Sequence, residues 1–474
     1  MADNYDLVVL GAGPGGYVAA IRAAQLGMKT AVVEKEKVGG VCLHKGCIPS
    51  KSLLRSAELY HEMRKSEEYG IRVGEVRLEM DLVQARKNRV KDQLQKGIKH
   101  LLQKNGVTVV EGTGRILGPS IFSPMPGTVS VEKADGSEAE MLVPQHVIIA
   151  TGSRPRSLPG LEVDGEHVMF SDHALEMESL PRSMVIVGGG VIGVEWASML
   201  NDFGVEVTVV EFADRILPFE DADVSREMTR LLKKRNVKVL TGAKVLPESV
   251  RVEEGRVVLQ VDKGGEKLPL EAERMLVSVG REPNTEDIGL QNTSIQLERG
   301  WIQVNPFMQT AESHIYAIGD VIGGYQLAHV ASHEGILAVE HMAGNQPHPL
   351  DPTLVPRCTY SRPEVGSIGL SEEEAKEKGY DVKVGKFPFR GVGKSLVFGE
   401  SDGFIKLVAD KKTEDILGVH IIGPHATDLI SEAGLAKVLD ATPWEITQVI
   451  HPHPTLSEVY GEVSMALEGL PIHS

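Results

Sequence analysis

Two of the three cysteines, Cys42 and Cys47, lie five positions apart in the segment GGVCLHKGCIPSK, which ends in Lys51. Thiols at this spacing could form a redox-active disulfide, bind a metal ion together with His44, or pack as buried thiols. A metal site needs further ligands, and the sequence has no second cysteine pair to supply them. Cys358 has no cysteine near it in the sequence, and we expect it to be a packing residue.

The spacing of Cys42 and Cys47 restricts the backbone between them if they are to be bonded. Residues five apart in a regular α-helix have Cα atoms about 8–9 Å from each other, whereas a disulfide tolerates about 7 Å at most. The bond would therefore require a distorted turn at the start of a helix, a conformation that Gly46 and Pro49 favour. A bond strained in this way is easier to reduce.

The segment HPHPTLSE, residues 451–458, contains a second group of reactive side chains, namely His451, His453 and Glu458. A thiol substrate needs a base, because the thiolate is the nucleophile, and histidine titrates in the required range. A carboxylate can orient an imidazole and stabilise its cation. On these residues alone, a surface loop with incidental histidines is an equal alternative.

The elements that would position these groups include a strand–turn–helix–strand arrangement that occurs twice in the sequence. Residues 5–35 and residues 183–211 each predict an apolar strand, a Gly-rich turn, an amphipathic helix and a second strand that ends in Glu. Matching positions are offset by the same number of residues throughout: Gly11 and Gly188, Gly13 and Gly190, Gly16 and Gly193, Gly27 and Gly204, Glu34 and Glu211.

The residue types in these repeats are those that a dinucleotide site requires. The first Gly permits the tight turn, the second lets a pyrophosphate approach the backbone, and the third lets the helix pack against the sheet. The helix N-terminus then presents N–H groups to the phosphates, and the final acid can bind ribose hydroxyls. The alternative is a Gly-rich turn without a nucleotide.

Two such sites predict two dinucleotides, of which FAD and NAD are the natural pair. Glu211, in place of an Arg, favours NAD over NADP, because a carboxylate repels a 2′-phosphate. A flavin can pass electrons between a nicotinamide and a sulfur couple. This combination favours a redox-active disulfide as the interpretation of Cys42 and Cys47.

The composition excludes some classes of partner. A chain of 474 residues is too long for one core, so we expect about two to four domains. The net charge of −16 argues against nucleic acid and anionic membranes, but it is compatible with a basic protein partner. The absence of a long apolar run and of a targeting segment, together with the few cysteines, predicts a cytoplasmic location.

The segment GGVCLHKGCIPSK, placed shortly after GAGPGG, resembles the pyridine nucleotide–disulfide oxidoreductases. Within that family the chain is most similar to the dihydrolipoamide dehydrogenases, the E3 components of 2-oxo acid dehydrogenase complexes. The resemblance covers essentially the whole chain. The other motifs that carry it are ATGSRPRSLPG, GGGVIGVE, VGREPNT, IYAIGD, LAHVASHEG and HPHPTLSE. The segment departs from the common motif at Val41, where the family frequently has Thr, and at His44-Lys45, where Asn-Val is frequent.

The resemblance implies an α/β fold with two Rossmann-like dinucleotide-binding domains, for FAD and NAD, and a C-terminal α+β dimerisation domain. The FAD-binding domain would consist of residues 1–150 and 280–348, with the NAD-binding domain, residues 151–279, inserted between them. Residues 349–474 would form the dimerisation domain.

The resemblance also implies roles for the reactive residues. Cys42 would exchange with the substrate and Cys47 would lie next to the flavin. Lys51 would lie near the flavin ring, with Glu195 as its carboxylate partner. His453, oriented by Glu458, would be the acid and base, and it would act on the disulfide of the other subunit of a homodimer.

Cofactor contacts transfer position by position from the same resemblance. Those for FAD are Gly11, Gly13, Gly16, Glu34, Lys51, Gly114, Thr151, Gly152, Ser153, Asp320 and Ala328. Those for NAD are Gly188, Gly190, Gly193, Glu211, Val245 and Gly280. Three of these contacts have simpler alternatives, because ATGS could be an ordinary strand end, Asp320 a turn cap and Val245 a core residue.

The implied activity is the NAD-dependent oxidation of dihydrolipoamide carried by another protein, either an E2 core or the H protein of glycine cleavage. A glutathione-reductase-like enzyme is an alternative that Glu211 disfavours, since that enzyme prefers NADPH. A mercuric-reductase-like enzyme would carry a further cysteine pair near its C-terminus. A non-catalytic dinucleotide-binding protein would have no need of the cysteine pair, Lys51, His453 and Glu458.

Overall fold

The computed structural model describes residues 3–119 and 126–474, in which helices and strands alternate. The strands are β1 (Asp3–Leu10), β2 (Thr30–Glu34), β3 (Thr108–Glu111), β4 (Thr113–Ile116), β5 (Val129–Glu132), β6 (Glu140–Ile149), β7 (Ser153–Pro155), β8 (Val168–Phe170), β9 (Ser183–Val187), β10 (Glu206–Val210), β11 (Lys238–Leu240), β12 (Ala243–Val245), β13 (Arg251–Glu253), β14 (Arg256–Lys263), β15 (Glu266–Ala272), β16 (Arg274–Val277), β17 (Arg281–Pro283), β18 (Leu297–Glu298), β19 (Trp301–Ile302), β20 (Ile315–Ala317), β21 (Arg357–Thr359), β22 (Glu364–Gly369), β23 (Val382–Pro388), β24 (Phe404–Asp410) and β25 (Ile416–Gly423).

The α-helices are α1 (Pro14–Gln25), α2 (Gly40–His44), α3 (Cys47–Arg64), α4 (Met80–Lys104), α5 (Ser171–Ala174), α6 (Val191–Asp202), α7 (Ala222–Lys234), α8 (Ala328–Met342), α9 (Glu372–Glu377), α10 (Gly393–Phe398), α11 (Ala426–Val438), α12 (Pro443–Gln448) and α13 (Glu458–Leu467). Short 3-10 helices span Ser66–Tyr69, Pro247–Ser249, Leu290–Asn292, Gly319–Ile322, Pro352–Leu354 and Phe389–Gly391. Within the described part of the chain, no helix is long and apolar enough to cross a membrane.

The chain divides into two units. Unit 1 consists of Met1–Ser52, Asp81–Arg156 and Gly280–Leu350, and unit 2 consists of Leu53–Met80, Ser157–Val279 and Asp351–Ser474. Unit 1 therefore contains the first Gly-rich repeat, and unit 2 contains the second repeat together with the C-terminal segment. The division into three domains stays a prediction.

Unit 1 is built on a seven-stranded sheet in the order β3-β2-β1-β6-β5-β4, with β20 beside β6. Successive side chains of a strand point to opposite faces. Leu7 and Val9 of β1 therefore pack with α1, α4 and α8, whereas Val8 and Leu10 pack with apolar residues of β4, β5 and β6 on the other face. The parallel strands β1, β2, β6 and β20 end at one edge, the usual place for a ligand in an α/β fold.

Unit 2 contains two kinds of sheet. The parallel sheet β11-β10-β9-β16-β8 carries the second repeat, and the antiparallel strands β12 to β15 share an apolar core with it. The C-terminal part is an antiparallel sheet in the order β21-β22-β25-β24-β23, whose apolar side chains form one core with those of α11, α12 and α13. This packing places the start of α13, at Glu458, next to the loop that contains His453.

Candidate active site

The two cysteines lie on either side of a break between two helices. Cys42 is in α2, which ends at His44, and Cys47 is the first residue of α3. A side chain at Gly46 would crowd the carbonyl oxygen of Val41 at 3.1 Å and the Cα of Cys42 at 3.4 Å. The distorted turn expected for a bonded pair is therefore present, and a residue without a side chain lies at its tightest point.

The side chains of Cys42 and Cys47 interact directly. Cys42 is half-buried and Cys47 is exposed. The hydrogen bond with the Cys47 thiol is the largest cause that raises the pKa of Cys42, burial is the next, and the positive charge of Lys51 opposes both. The thiols are thus close enough to act as one redox unit, while their assignment as exchange thiol and flavin-side thiol stays a prediction.

His44 has a local role. Its Nε2 donates to the carbonyl oxygen of Val38 at 2.9 Å and fixes the backbone that enters α2. Burial lowers the pKa of His44, so a neutral ring fits this position. Across residues 3–119 and 126–474, no group of three or more His, Cys, Asp or Glu side chains is arranged to hold a metal ion.

The first Gly-rich turn has the geometry that a dinucleotide pyrophosphate requires. Gly11 has φ +103°, and a Cβ at Gly16 would overlap the carbonyl oxygen of Gly11. Helix α1 begins after Gly13 with no acidic residue in its first turn and no side-chain hydrogen bond at its cap. Its N–H groups therefore face the place where a phosphate would lie.

The acid of the first repeat is tied to the same turn. One carboxylate oxygen of Glu34 accepts a hydrogen bond from the backbone N–H of Ala12 and the other from that of Glu36, both at 2.8 Å. This orients the carboxylate at the end of β2, beside the turn. The predicted adenosine end of the FAD site thus consists of groups that the structure brings together.

The second repeat has the same construction. Gly188 has φ +107°, and a Cβ at Gly193 would overlap the carbonyl oxygen of Gly188. Glu211 accepts from the backbone N–H of Gly189 at 2.5 Å and from that of Ala213 at 2.6 Å. A Cβ at Gly190 would meet no heavy atom within 4 Å, so the space in front of the helix is open. The residues present therefore fit NAD.

Asp320 belongs to a polar cluster rather than to an isolated turn cap. The Ser153 hydroxyl donates to a carboxylate oxygen of Asp320 at 2.5 Å. Arg281 donates from Nε to the Ser153 hydroxyl at 2.7 Å and from Nη2 to the Ser153 carbonyl oxygen at 2.8 Å. The Arg281 guanidinium lies 3.7 Å from the Asp320 carboxylate, so the cluster joins Asp320 to the predicted FAD contact Ser153.

The ATGS segment is joined to the VGREPNT segment as well. Thr151 donates from its hydroxyl to the carbonyl oxygen of Asn284 at 2.7 Å, and the Asn284 amide donates to the Thr151 carbonyl oxygen at 2.9 Å. The Asn284 N–H donates to the carbonyl oxygen of Gly152 at 2.9 Å. These bonds place Thr151, Gly152 and Ser153 beyond the carboxyl end of β6, at the edge where β1 and β20 also end.

Glu334 is a further charged residue at this edge that sequence reasoning missed. It is buried in α8 and accepts from the backbone N–H of Gly319 at 2.7 Å. Burial raises the pKa of Glu334 to about 7, with the Asp320 charge as a smaller contribution in the same direction. Arg281 was missed too. Arg281 lies inside VGREPNT and Glu334 inside LAHVASHEG, and neither motif indicates which residues these side chains contact.

The weaker cofactor predictions have structural explanations that leave their roles as predictions. A Cβ at Gly114 would lie 2.7 Å from a methyl group of Leu10, so a glycine is needed there for packing. Val245 is buried in the apolar core of unit 2, as expected of a packing residue. Gly280 accepts a backbone hydrogen bond from Arg156 at 3.0 Å, and Ala328 begins α8.

Lys51 and Glu195 lie in different units. Lys51 lies in the first turns of α3. Glu195 is buried in α6, where a carboxylate oxygen accepts from the backbone N–H of Tyr360 at 2.9 Å. The predicted pairing of Lys51 with Glu195 stays a prediction.

The C-terminal histidine and carboxylate form the pair expected of a base and its orienting group. His453 Nδ1 lies 2.8 Å from a carboxylate oxygen of Glu458, and the other oxygen accepts from the backbone N–H of Thr455 at 2.9 Å. Burial acts to raise the pKa of Glu458, but the hydrogen bonds from His453 and Thr455 outweigh it and lower the pKa. The His453 ring is 77% exposed, so its other nitrogen can reach a reactant.

His451 has a different environment from His453. Its ring is buried, its Nε2 lies 2.7 Å from Glu432, and it stacks on Tyr460. These contacts fix the loop around His451. Cys358 is half-buried against the C-terminal core, and burial raises the pKa of its thiol to about 12.

Comparisons with known proteins agree with this geometry. Residues 5–335 match the family model "Pyridine nucleotide-disulphide oxidoreductase" and residues 355–464 match the dimerisation domain of the same family. The chain is 65% identical to dihydrolipoyl dehydrogenase of Bacillus subtilis over 100% of both chains, and 43% identical to that of Zymomonas mobilis, again over 100% of both.

Two solved structures show the same fold. The crystal structure of LpdA from Mycobacterium tuberculosis is 28% identical with a TM-score of 0.90, covering 98% of this chain and 100% of that one. The Cu(II) complex of the flavoprotein disulfide reductase RclA from Escherichia coli is 26% identical with a TM-score of 0.85, covering 98% of this chain and 99% of that one.

Proposed function

The chain belongs to the pyridine nucleotide–disulphide oxidoreductase family, and from that premise we propose that Cys42, Cys47 and His453 are the reacting groups of a dihydrolipoyl dehydrogenase. The enzyme is a flavoprotein that uses FAD and NAD. It oxidises dihydrolipoamide to lipoamide and reduces NAD to NADH. The observation that carries the assignment is the direct interaction between the Cys42 and Cys47 thiols at the start of α3.

The polar groups at the edge of each parallel sheet fit the two cofactors. In unit 1, the N-terminus of α1, Glu34 and the Ser153–Asp320 pair would hold FAD. In unit 2, the N-terminus of α6 and Glu211 would hold NAD. FAD, when bound, supplies the two-electron carrier between the thiol pair and NAD.

His453 starts the reaction in this account. It removes a proton from one thiol of dihydrolipoamide, and Glu458 stabilises the resulting imidazolium. The substrate thiolate attacks the Cys42 sulfur, so that a mixed disulfide forms and the bond between Cys42 and Cys47 breaks. Cys47 leaves with the electron pair as a thiolate.

The second substrate thiol completes the exchange. Its sulfur attacks the substrate sulfur of the mixed disulfide, its proton passes to the departing Cys42 sulfur, and lipoamide is released. Two electrons from the substrate now reside on the reduced pair, with Cys42 as a thiol and Cys47 as a thiolate, and one proton resides on His453. Transfer of these electrons to NAD restores the disulfide and yields NADH.

The dimerisation-domain match at residues 355–464 supports a homodimer. We propose that His453 acts on the disulfide of the other subunit, as the family resemblance implies. The lipoyl group is carried by another protein, for which an E2 core and the glycine-cleavage H protein are the two candidates. We propose the cytoplasm as the location, on the basis of the few cysteines.

Replacement of the base tests this function. His453→Gln should lower the rate of dihydrolipoamide oxidation about 10²- to 10⁴-fold, the usual contribution of an acid–base residue. It should leave bound flavin and NADH-dependent reduction of an artificial dye unchanged, since neither needs a substrate thiol to be deprotonated. His348→Gln, at an exposed position, is the control. An His453→Gln variant with normal dihydrolipoamide oxidation would contradict the proposal.

A glutathione-reductase-like activity is the second candidate, because it would use the same thiol pair and the same type of histidine. Glu211 disfavours it, since the carboxylate would face the 2′-phosphate of NADPH. Assays with oxidised glutathione and NADPH beside dihydrolipoamide and NAD separate the two. We expect activity with dihydrolipoamide and NAD, and none with oxidised glutathione and NADPH.

A further inference from the structure

The loop that follows Glu211 presents an aromatic side chain to solvent from a backbone that is held in place. Phe212 is 75% exposed, although the residues on both sides of it are hydrogen-bonded. The Glu211 carbonyl oxygen accepts from Ala243 N–H at 2.9 Å, and the Ala213 carbonyl oxygen accepts from Gly242 N–H at 2.8 Å. The exposure of Phe212 therefore belongs to an ordered segment and not to a loose one.

The same loop is attached to the second Gly-rich turn. The Leu217 N–H donates to the carbonyl oxygen of Gly189 at 2.8 Å, and Ile216 is fully buried. A Cβ at Gly189 would lie 2.7 Å from a methyl group of Ile216 and 3.1 Å from the Cβ of Glu211. Phe212 is thus fixed relative to the turn that faces the pyrophosphate and to the acid that faces the ribose.

This placement has a consequence for the adenine of NAD. Adenine is bonded directly to the ribose whose hydroxyls the Glu211 carboxylate would bind, so the base must lie within a few ångströms of the residues next to Glu211. An exposed aromatic ring offers a flat apolar surface on which a base can stack. Removal of the apolar ring surface from water by a bound ligand is favourable.

We propose that Phe212 is an NAD-binding residue on whose ring the adenine stacks. The inference rests on the proposed location of NAD at the second repeat. The first repeat has the charged residue Lys35 at the matching position, so this surface belongs to the NAD site alone. The chemistry recognised is the adenine end of the dinucleotide, and the nicotinamide end is not involved.

The experiment is steady-state kinetics on the flavin-loaded enzyme. Phe212→Ala should raise the KM for NAD about 5- to 100-fold, the range expected for loss of one stacked base, with an unchanged KM for dihydrolipoamide. Phe212→Trp should restore the KM for NAD. Inhibition by AMP, competitive with NAD, should weaken in Phe212→Ala, whereas inhibition by nicotinamide mononucleotide should not.

Two further variants separate the possible outcomes. Phe219→Ala is the matched control, because Phe219 is 87% exposed on the same loop, and it should leave the KM for NAD unchanged. Glu211→Gln tests the NAD site itself. If Glu211→Gln raises the KM for NAD and Phe212→Ala does not, the stacking proposal is wrong and the site stands. If neither variant changes it, the location of NAD is wrong. Equal effects of Phe212→Ala and Phe219→Ala would indicate loop disruption and overturn the stacking proposal.

Discussion

The two Gly-rich repeats have the same turn and different surroundings. In each, the first Gly has a positive φ and the third has no room for a Cβ beside the carbonyl oxygen of the first. The helices that follow differ in what covers them. In α1, a Cβ at Gly15 would lie 3.0 Å from the carbonyl oxygen of Ala331 in α8, whereas the matching residue of α6 is Ile192.

Helix α6 is covered by polar contacts instead. Glu195 accepts from Tyr360 N–H, Ser198 accepts from Arg362 N–H at 2.8 Å, and the buried Asp202 binds Arg235 at 2.8 Å. The close approach of the third Gly to the first is therefore specified within each repeat. A Cβ at the first Gly would instead overlap a distant backbone carbonyl oxygen, that of Ala150 for Gly11 and that of Ser278 for Gly188. The outer face of each helix is specified by segments far away in the sequence.

The third glycine of each repeat offers the largest effect. Gly16→Ala and Gly193→Ala introduce the same clash with a backbone carbonyl oxygen, and overpacking of this kind costs about 1–3 kcal/mol or more. Gly16→Ala should give protein that loses its yellow colour, and Gly193→Ala should give yellow protein with little NAD reduction. Absorbance at the flavin band and NAD kinetics check this. Loss of flavin in Gly193→Ala would mean that the repeats are not specific for one cofactor each.

Substitution of the acid at the end of each repeat should have the next largest effect on cofactor binding. Glu34→Gln should weaken FAD retention and Glu211→Gln should raise the KM for NAD, each about 10-fold, because an amide replaces one acceptor oxygen with a donor. The measurements are flavin release during dialysis and steady-state kinetics with NAD. Each variant is the control for the other, and an exchange of the two effects would show that the cofactors are assigned to the wrong repeats.

Substitutions where other segments pack on α1 and α6 should have smaller effects on cofactor binding. A Cβ at Gly335 would lie 2.7 Å from the carbonyl oxygen of Gly15, so Gly335→Ala should force α1 and α8 apart and lower the free energy of unfolding by about 1–3 kcal/mol. Thermal release of flavin should occur at a lower temperature. Ile192→Ala, at the position of the second repeat that matches Gly15, should leave flavin release unchanged. Equal flavin loss in both variants would contradict the difference between the two helices.

The last expected effect is a pH dependence at Glu334, which lies near the first repeat. Its pKa is raised to about 7 by burial, so the folded state retains a proton that the unfolded state loses above about pH 4.3. Its contribution to stability is therefore complete below that pH and is lost as the pH rises to about 7.

The Glu334→Gln variant has no carboxyl to ionise at this position. Its free energy of unfolding relative to that of the natural protein should therefore rise by about 1–3 kcal/mol when the pH is raised from 4.5 to 8. Thermal unfolding midpoints at both pH values measure this, and Glu377→Gln, at an exposed position of α9, is the control. Parallel pH profiles for the natural protein and Glu334→Gln would show that the buried carboxyl does not titrate in this range.

Local features of the site were predictable from the sequence. Both Gly-rich turns, the break between Cys42 and Cys47, and the neighbouring His453 and Glu458 each involve residues a few positions apart, so spacing and residue type contain the information. The family match confirms the fold class and the activity.

Contacts over long sequence distances were not predictable. Arg281 binds Ser153 across 128 positions, and Glu195 accepts from Tyr360 across 165. No residue pattern near either partner indicates the other, because the pairing depends on which strands become neighbours in the folded sheet. Arg281 was missed for this reason, although the motif that contains it was recognised.

In the proposed mechanism, Cys42 and Cys47 form one redox couple that exchanges electrons with NAD. The most direct measurement is alkylation of denatured enzyme, followed by mass spectrometry, before and after anaerobic reduction with NADH. We expect only Cys358 to be alkylated before reduction and all three cysteines to be alkylated afterwards. Alkylation of Cys42 and Cys47 to the same extent in both samples would contradict it.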